Sequence, residues 1–570
     1  MIGKKIQIIL GIALVSIAIF LVFQSGISGD FLLWDDVKNV VKNTSIHSLD
    51  IGTLKWAFTN PHLGVWEPLS FILKAIIIDF FEINAKAFKI VSIALHIINT
   101  LLLGILIQMI MQIIGSFSKK PNLRRLSIFI VLLFFALSPL RVSTVTWISC
   151  QPYLLCAFFC LLSIIFYLKY AIRNGPRSFH PYLWLSLLAF IFAGMSKAVS
   201  MTLPVVLILI DIYPLNSIKK SPLKTLLDKV PFFMMSFFIA GTAYWARNMF
   251  TYFEPLSKYN ILHRIMISAH GLVFYIQRSI IPFEIAPFYP LPGSKYLPNA
   301  DSMVFFSLPF IISLILVIIV ILILVLRWRF DGLVVAIIAY AVILSPNLGL
   351  TISGVNLVAD RYSYIAMMPL YIAFSVLLYK LLKTLVHLQK ARKIMIFVFF
   401  ALILTLNIVS SLETLQYWQN DKNFWRRIII TFPDCPDSYY ILGSLHASNG
   451  YKNKNRHDLL LAEQFLAKAN EKDIQEGKID YKLGFVQSEL KRFEKAEKSF
   501  EKYLADRPDD ALAHIRYGDM LLEIGRLEDV LYHFETSVVI DSSLAKIHKI
   551  PSKLQTLKKQ MSPNSKDSSN

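Results

Sequence analysis

Asp35 and Asp36 stand side by side just after the first long apolar run, in Phe31-Leu32-Leu33-Trp34-Asp35-Asp36-Val37, with Asn43 and then Trp66-Glu67-Pro68-Leu69 following. Adjacent carboxylates at a membrane surface suit an enzyme that must deprotonate a hydroxyl nucleophile, because partial desolvation and mutual repulsion raise one pKa toward neutrality. The competing reading is a solvated helix cap, since Asp commonly precedes helices. Three further segments carry cations at the ends of apolar runs: Leu140-Arg141-Val142, Met195-Ser196-Lys197 and Ala359-Asp360-Arg361-Tyr362. Arginine, by its bidentate fork, and lysine, as a point charge, both suit a phosphate or diphosphate leaving group. Taken singly, each reads as a snorkelling cation at a span end; four such clusters on one face point instead to a site. His96 and Asn99, three residues apart, share a helix face and suit hydrogen bonds to a neighbouring helix. Asp211 lies toward the opposite end of its apolar run and reads as packing or as part of a lipid-headgroup portal. The four cysteines form no CxxC pair and have no histidine-rich partner cluster, so neither a disulfide framework nor a metal site is signalled.

The elements that must position these residues are apolar. Of the 570 residues, 55% are hydrophobic and only 17% charged, which excludes an ordinary soluble enzyme and predicts a polytopic, all-α membrane protein. Segments long enough to cross lie near residues 6–24, 88–114, 126–143, 151–171, 182–196, 198–216, 230–251, 303–326, 333–350, 363–379 and 394–411, about eleven spans in all. The first follows Lys4 and Lys5 without a clear small-residue cleavage site and reads as an uncleaved signal-anchor. Residues 66–82 are amphipathic, and residues 262–283 carry His263, Arg264, His270 and Arg278, which are costly in lipid. The net charge of +20 could suggest nucleic acid, but the cations sit in short clusters between apolar runs. With the N-terminus cytoplasmic and residues 262–283 interfacial or re-entrant, the basic clusters after Lys119, Lys169, Lys219, Arg327 and Lys380 all fall inside. The loops holding the acidic pair, Lys197 and Arg361 then fall outside, with the polar C-terminal region.

That region repeats. Leu483-Gly484, Ala496, Phe500 and Pro508 fit the tetratricopeptide pattern; Gly518 follows Gly484, and Phe534 follows Phe500, by 34 residues. Ala462 precedes Ala496 by the same interval, and Leu442-Gly443 opens an earlier copy if Lys452–Asp458 is an insertion, giving about three helical hairpins. The predicted organisation is a membrane domain over 1–412, repeats over 413–550 and an unstructured tail over 551–570.

Taken in order, these motifs resemble those of the transmembrane and tetratricopeptide-repeat-containing O-mannosyltransferases and their bacterial relatives, lipid-donor glycosyltransferases of the GT-C class. The resemblance covers most of the chain. It runs through Trp34-Asp35-Asp36 with Asn43, Trp56-Ala57-Phe58, Trp66-Glu67-Pro68-Leu69, Leu95-His96 with Asn99-Thr100, and Ser138-Pro139-Leu140-Arg141-Val142 with Thr146-Trp147. It continues through Met195-Ser196-Lys197, Ala286-Pro287-Phe288-Tyr289-Pro290, Ala359-Asp360-Arg361-Tyr362 and Tyr417-Trp418. Arg141 and Ser143-Thr144 depart from a segment where relatives often carry His and Val-Glu, and Glu67 stands where many have His or Arg.

The resemblance implies an inverting transfer of a hexose, mannose or another, from a polyprenyl-phosphate carrier to a hydroxyl acceptor, Ser or Thr of a protein, on the periplasmic or lumenal face. Asp35 or Asp36 is then the general base. Lys197, Arg361 and Arg141 hold the donor phosphate, and Trp34, Asn43, Glu67, His96, Asn99, Tyr289, Asp360 and Tyr362 position substrate. No cofactor is implied beyond the polyprenyl-phosphate sugar itself as donor, and no nucleic acid; membrane lipid and a protein acceptor held by the repeats are the expected partners. The expected location is a bacterial inner membrane, or the endoplasmic reticulum in a eukaryote. The alternative is a non-enzymatic, membrane-anchored repeat scaffold for envelope assembly, which accounts for the C-terminal region but not for polar motifs in four separate loops.

Overall fold

A computed structural model describes residues 2–115, 117, 120–173, 180–250, 259–294, 296–298, 300–327, 331–350, 355–385, 389–472 and 478–561. It is helical throughout, apart from one two-stranded antiparallel pair in which Tyr289 faces Val358 and Pro290 faces Asn356. The chain divides into two compact units, residues 1–295 with 299–424, and residues 296–298 with 425–570.

In the first unit each of the eleven apolar segments falls on helix. Among the described residues seven helices are long and apolar enough to cross a membrane, the mark of a membrane protein: Ile6–Gly26, Ala85–Ile114, Ile148–Ile172, Pro222–Asn248, Leu308–Leu326, Met368–Leu385 and Lys390–Tyr417. Pro121–Ala136 and Pro139–Thr146 form an eighth if the pair, bent by 58°, is one span. Pro139 explains the break: it has no N–H to give to the preceding turn, so a new short helix starts there. Pro181–Ser196, Ala198–Ile212 and Gly332–Asn347 are shorter apolar helices. Their ends carry ordinary start signals, Pro181 in the first turn of one and Asp331 accepting from the N–H groups of Leu333 and Val334 at 3.1 Å at the start of another. The helix Ile261–Ile280 is too polar to join them because of its His and Arg residues.

The second unit is a series of hairpins: Pro436–Asn453 with Arg456–Lys472, Lys478–Glu489 with Phe493–Asp506, and Ala511–Glu523 with Leu527–Ile540. The 34-residue interval has a steric cause. A Cβ on Gly484 would lie 3.0 Å from the Phe500 ring, and one on Gly518 would lie 2.5 Å from the Phe534 ring, so in each hairpin the first helix needs a glycine to let the aromatic of the second approach. The stretch from 551, expected as tail, is helical through Met561, because Ile550 and Leu557 are buried in the core of the last hairpin. Residues 562–570 lie outside the described residues.

Candidate functional site

The loop after the first helix folds back on itself through Asp36. One carboxylate oxygen accepts from the Leu32 N–H at 3.1 Å, and the other from both the N–H and the hydroxyl of Ser149, at 2.9 and 2.6 Å. Asp36 is 1% exposed. Burial pushes its carboxyl up to about 6, against the pull of Ser149 and Leu32 and with the charge of Asp35 adding to the rise. Its lone pairs are committed to fastening the loop onto the segment before Ile148–Ile172.

Asp35 differs from its neighbour. It is half-buried, and among the described residues its carboxylate makes no hydrogen bond. Burial raises its pKa, while the charges of Arg361, Lys38, Lys197 and Lys74 oppose the rise. Lys38 belongs to the same loop, and three other segments deliver the remaining cations. Lys197 occupies the break between Pro181–Ser196 and the turn Ala198–Thr202, with about a fifth of its side chain open to solvent, and is ion-paired with Glu67. Burial works against the Lys197 ammonium, but Glu67 and Tyr153 outweigh it and hold its pKa above the ordinary lysine value. Arg361 lies on the turn Asp360–Tyr362, its guanidinium 4.8 Å from the Tyr362 ring centre and 5.3 Å from that of Trp147. Tyr153 links the two cations: its ring is 5.1 Å from the Lys197 ammonium and 6.5 Å from the Tyr362 ring.

Behind this cluster is a residue the sequence did not single out. Lys74, on the helix Pro68–Phe81 that Glu67 begins, is fully buried and donates to the Asn39 side-chain carbonyl at 3.0 Å. The Asn39 amide in turn donates to the Ser149 hydroxyl at 3.4 Å, and so reaches Asp36. Burial pushes Lys74 down to about 8, with Glu67 opposing and Lys197 reinforcing the fall. The available signal was its position seven residues after Glu67, two helical turns along the same face.

The other candidates divide. Asp360 is buried between Tyr289 and the charges of Arg361 and Arg141, and burial pushes it up to about 7. Tyr289 also accepts from the Ala286 N–H at 3.0 Å, and its strand ties the 286–291 segment to the one that carries Asp360. Trp34 packs on Phe288 and Phe424, with ring centres 4.7 and 5.7 Å apart. Asn43 is buried at the start of the turn Thr44–Ile46, with no partner for its amide nitrogen among the described residues.

Arg141 shares Asp360 with Arg361 but differs from Lys197 and Arg361 in burial, and its Nε and Nη2 have no partner among the described residues. It is 0% exposed, sandwiched by Phe135 at 4.8 Å and Tyr364 at 5.6 Å, and donates to the Ser363 hydroxyl at 3.3 Å. A guanidinium sealed in this way fastens helices and cannot meet a ligand without repacking. His96 and Asn99 are likewise fully buried. His96 contacts the Tyr364 hydroxyl at 2.7 Å and the Ala136 carbonyl at 3.1 Å, and Asn99 donates to the Leu154 carbonyl at 2.9 Å. These bonds join helices, as their spacing suggested, and leave neither residue facing the acidic loop. No cluster of metal-ligating side chains occurs among the described residues.

An apolar cavity of ≈ 320 Å³ is lined by Val199, Ser200 and Thr202, shortly after Lys197, and by Tyr213, Asp331 and Lys380 among others. By helical rise, Ile365 and Lys380 on its wall are roughly 22 Å apart, most of a bilayer core.

The fold and site together define a helical membrane protein whose loops gather the unbonded Asp35 carboxylate with two partly open cations, Lys197 and Arg361, next in sequence to residues that line an apolar cavity. Comparison with known protein families found none that matches, and no curated protein matches the chain.

Proposed function

We propose that the chain is a GT-C-type glycosyltransferase with eleven crossings, related to the tetratricopeptide-repeat-containing O-mannosyltransferases. In this reading it moves a hexose from a polyprenyl-phosphate carrier to a protein hydroxyl on the outer face of a bacterial inner membrane or its lumenal equivalent. The observation that carries the reading is the closeness of the apolar cavity to the carboxylate-and-cation cluster: Ser200, which lines the cavity, donates its hydroxyl to the backbone carbonyl of Lys197 at 3.1 Å. A lipid-linked sugar phosphate has the matching shape: a long apolar tail, then an anion, then the reacting carbon.

In the reaction, Asp35 takes the proton of the acceptor hydroxyl. The freed oxygen forms its bond to the anomeric carbon from the face opposite the carrier, and the bond from that carbon to the phosphate oxygen breaks. The electron pair leaves on the phosphate, where Lys197 and Arg361 meet the growing charge. Asp35 has this role because its carboxylate is free, whereas Asp36 is spent on Leu32 and Ser149. Arg141 takes no part in holding the phosphate.

Two contacts support the orientation. Residues from the loops at 35, 197 and 361 share one cluster, which an even number of crossings between them requires. Arg125 donates to Gln7 at 3.1 Å, which brings the first inward basic loop beside the N-terminal end of the first helix. The hairpins of the second unit are then tetratricopeptide repeats that hold the protein acceptor.

Incubation of the purified chain with polyprenyl-phosphate mannose and with the glucose analogue, followed by mass spectrometry of candidate acceptor peptides, tests the reading. Transfer from either donor supports it. Absence of both transfer and donor hydrolysis in a protein that binds the carrier would return the chain to the scaffold alternative.

A further inference from the structure

The side chain of Glu67 is 5% exposed, and among the described residues Lys197 is its one hydrogen-bonding partner. An acid in that place is unexpected if Lys197 serves an anion, because it occupies the ammonium the anion needs. Removing Glu67 from Lys197 would ordinarily strand a buried carboxylate, at a cost of several kcal/mol. Here it would not be stranded. Lys74, also on this helix and fully buried, has Glu67 as its foremost electrostatic attraction, yet among the described residues its ammonium is bonded only to the neutral Asn39 amide. Two ammonium groups thus share one carboxylate, and only one of them opens to solvent.

From this arrangement, and resting on the donor-phosphate reading above, we infer that Glu67 is an internal stand-in for the ligand's phosphate. It occupies Lys197 while the site is empty and passes to Lys74 when a phosphate lipid takes its place. The exchange keeps the number of ion pairs constant on both sides of the step, so the anion enters without leaving a bare charge behind. It also carries information. When Lys74 turns to Glu67 it releases Asn39, whose other end reaches the Ser149 hydroxyl on Asp36. The loop that carries Asp35 therefore registers whether donor is bound. Lys74 is a positioning residue in this scheme, acting on the ligand only through Glu67.

The test is a double-mutant cycle on the full chain in nanodiscs, read first by affinity for undecaprenyl phosphate and, in a parallel arm, for inorganic phosphate. Glu67→Gln removes the competitor and tightens lipid binding by about tenfold, while Lys74→Met leaves the displaced carboxylate without a receiver and weakens it by about tenfold. Glu67→Gln/Lys74→Met matches Glu67→Gln alone, because Lys74 has nothing left to receive. Lys74→Arg retains most of the wild-type affinity, and its elution profile and thermal midpoint guard against misfolding. Tightening in the inorganic phosphate arm as well assigns the site to phosphate in general; tightening with the lipid alone assigns it to the headgroup of a tail-anchored ligand. In turnover, Glu67→Gln lowers the donor KM and slows kcat, since the carboxylate no longer returns to expel the product phosphate. Unchanged affinity in Glu67→Gln, additive effects in the cycle, or no binding of either anion to the wild type overturns the inference. The expected cycle with no sugar transfer removes the transferase reading and leaves the exchange standing.

Discussion

Two groups of Asp, Lys and Tyr lie close in sequence to residues that line the apolar cavity, one beside Ile210 and Tyr213 and the other beside Val199, and they differ in what each has left to offer. In the group beside Tyr213, Asp211 pairs with Lys229 at 2.7 Å; the Tyr167 hydroxyl donates to Asp211 at 2.7 Å and accepts from Lys229 at 2.5 Å, and Lys229 also donates to the Thr225 carbonyl at 3.1 Å. Both charged side chains are at most 1% exposed. In the other group, the Asp35 carboxylate has no hydrogen bond among the described residues, Lys197 is a fifth open, and Arg361 leans on two rings instead of a carboxylate. The same residue types therefore pair with one another in one group, where Asp211 Oδ1 is left without a partner among the described residues, and stay open to solvent in the other. Chemistry belongs in the open group, because a buried ion pair would first have to be broken at a cost of several kcal/mol.

The sharpest way to break this comparison is to remove one carboxylate from each group. Asp35→Asn should lower sugar transfer by about a thousandfold or more with an unaltered thermal midpoint, the size expected when a positioned general base is lost. Asp211→Asn should do the reverse. It leaves Lys229 buried beside a neutral amide, so stability should fall by about 3–5 kcal/mol while turnover per folded molecule stays near wild type. Thermal unfolding and single-turnover transfer on the same preparations decide it: equal losses in both assays for both variants would dissolve the distinction.

How much of this was legible in the sequence follows from where the information lay. The apolar segments and the 34-residue interval are local or periodic, and the glycine-aromatic contacts of Gly484 with Phe500 and Gly518 with Phe534 explain why that interval is so visible. Asp35, Lys197 and Arg361 stood out because charge next to an apolar run is conspicuous. Lys74, Asn39 and Ser149 were not legible, since an ordinary lysine, asparagine and serine acquire meaning only when tertiary structure chains them to Asp36. Arg141 shows the opposite failure. A cation after an apolar run looks the same in sequence whether it snorkels outward or, as here, is walled in by Phe135 and Tyr364. The helix through Met561 had a signal, apolar Ile550, Leu554 and Leu557 on one face, which a polar composition obscured.

A smaller effect should come from the cations around Asp35. Arg361→Gln should reduce transfer by about a hundredfold by withdrawing one donor from the leaving phosphate. It should also move the acid limb of the pH–rate profile upward. Burial raises the Asp35 pKa and Arg361 is the foremost charge opposing it, so without Arg361 the carboxylate holds its proton to higher pH. Arg361→Lys should keep the limb near its wild-type position while still losing rate, because it preserves the charge but not the fork. A limb that stays fixed in Arg361→Gln would show that Asp35 is not the group titrating in catalysis.

The smallest effect should be at Ser149, which belongs to the open site but serves only to fasten it. Ser149→Ala removes the 2.6 Å hydroxyl bond to Asp36 and leaves the backbone N–H bond at 2.9 Å. The remaining donor keeps Asp36 paired, so stability should fall by only about 1 kcal/mol. Asn39 loses its partner at the same time, and the loop with Asp35 is held less firmly, so transfer should fall by about tenfold through kcat with little change in donor KM. Asp36 should titrate above its present value of about 6, since a hydrogen bond to its ionised form has gone. Its folded-state value already lies above that of a free Asp, so the native state binds the extra proton and stability declines as pH rises from about 4 through the folded value. In Ser149→Ala that decline should extend to higher pH, and unfolding midpoints measured across the range would reveal it. A variant with full activity and an unshifted stability profile would mean that the acidic loop is fastened by Leu32 and the Ser149 backbone alone, and that the chain from Lys74 to Asp36 carries nothing.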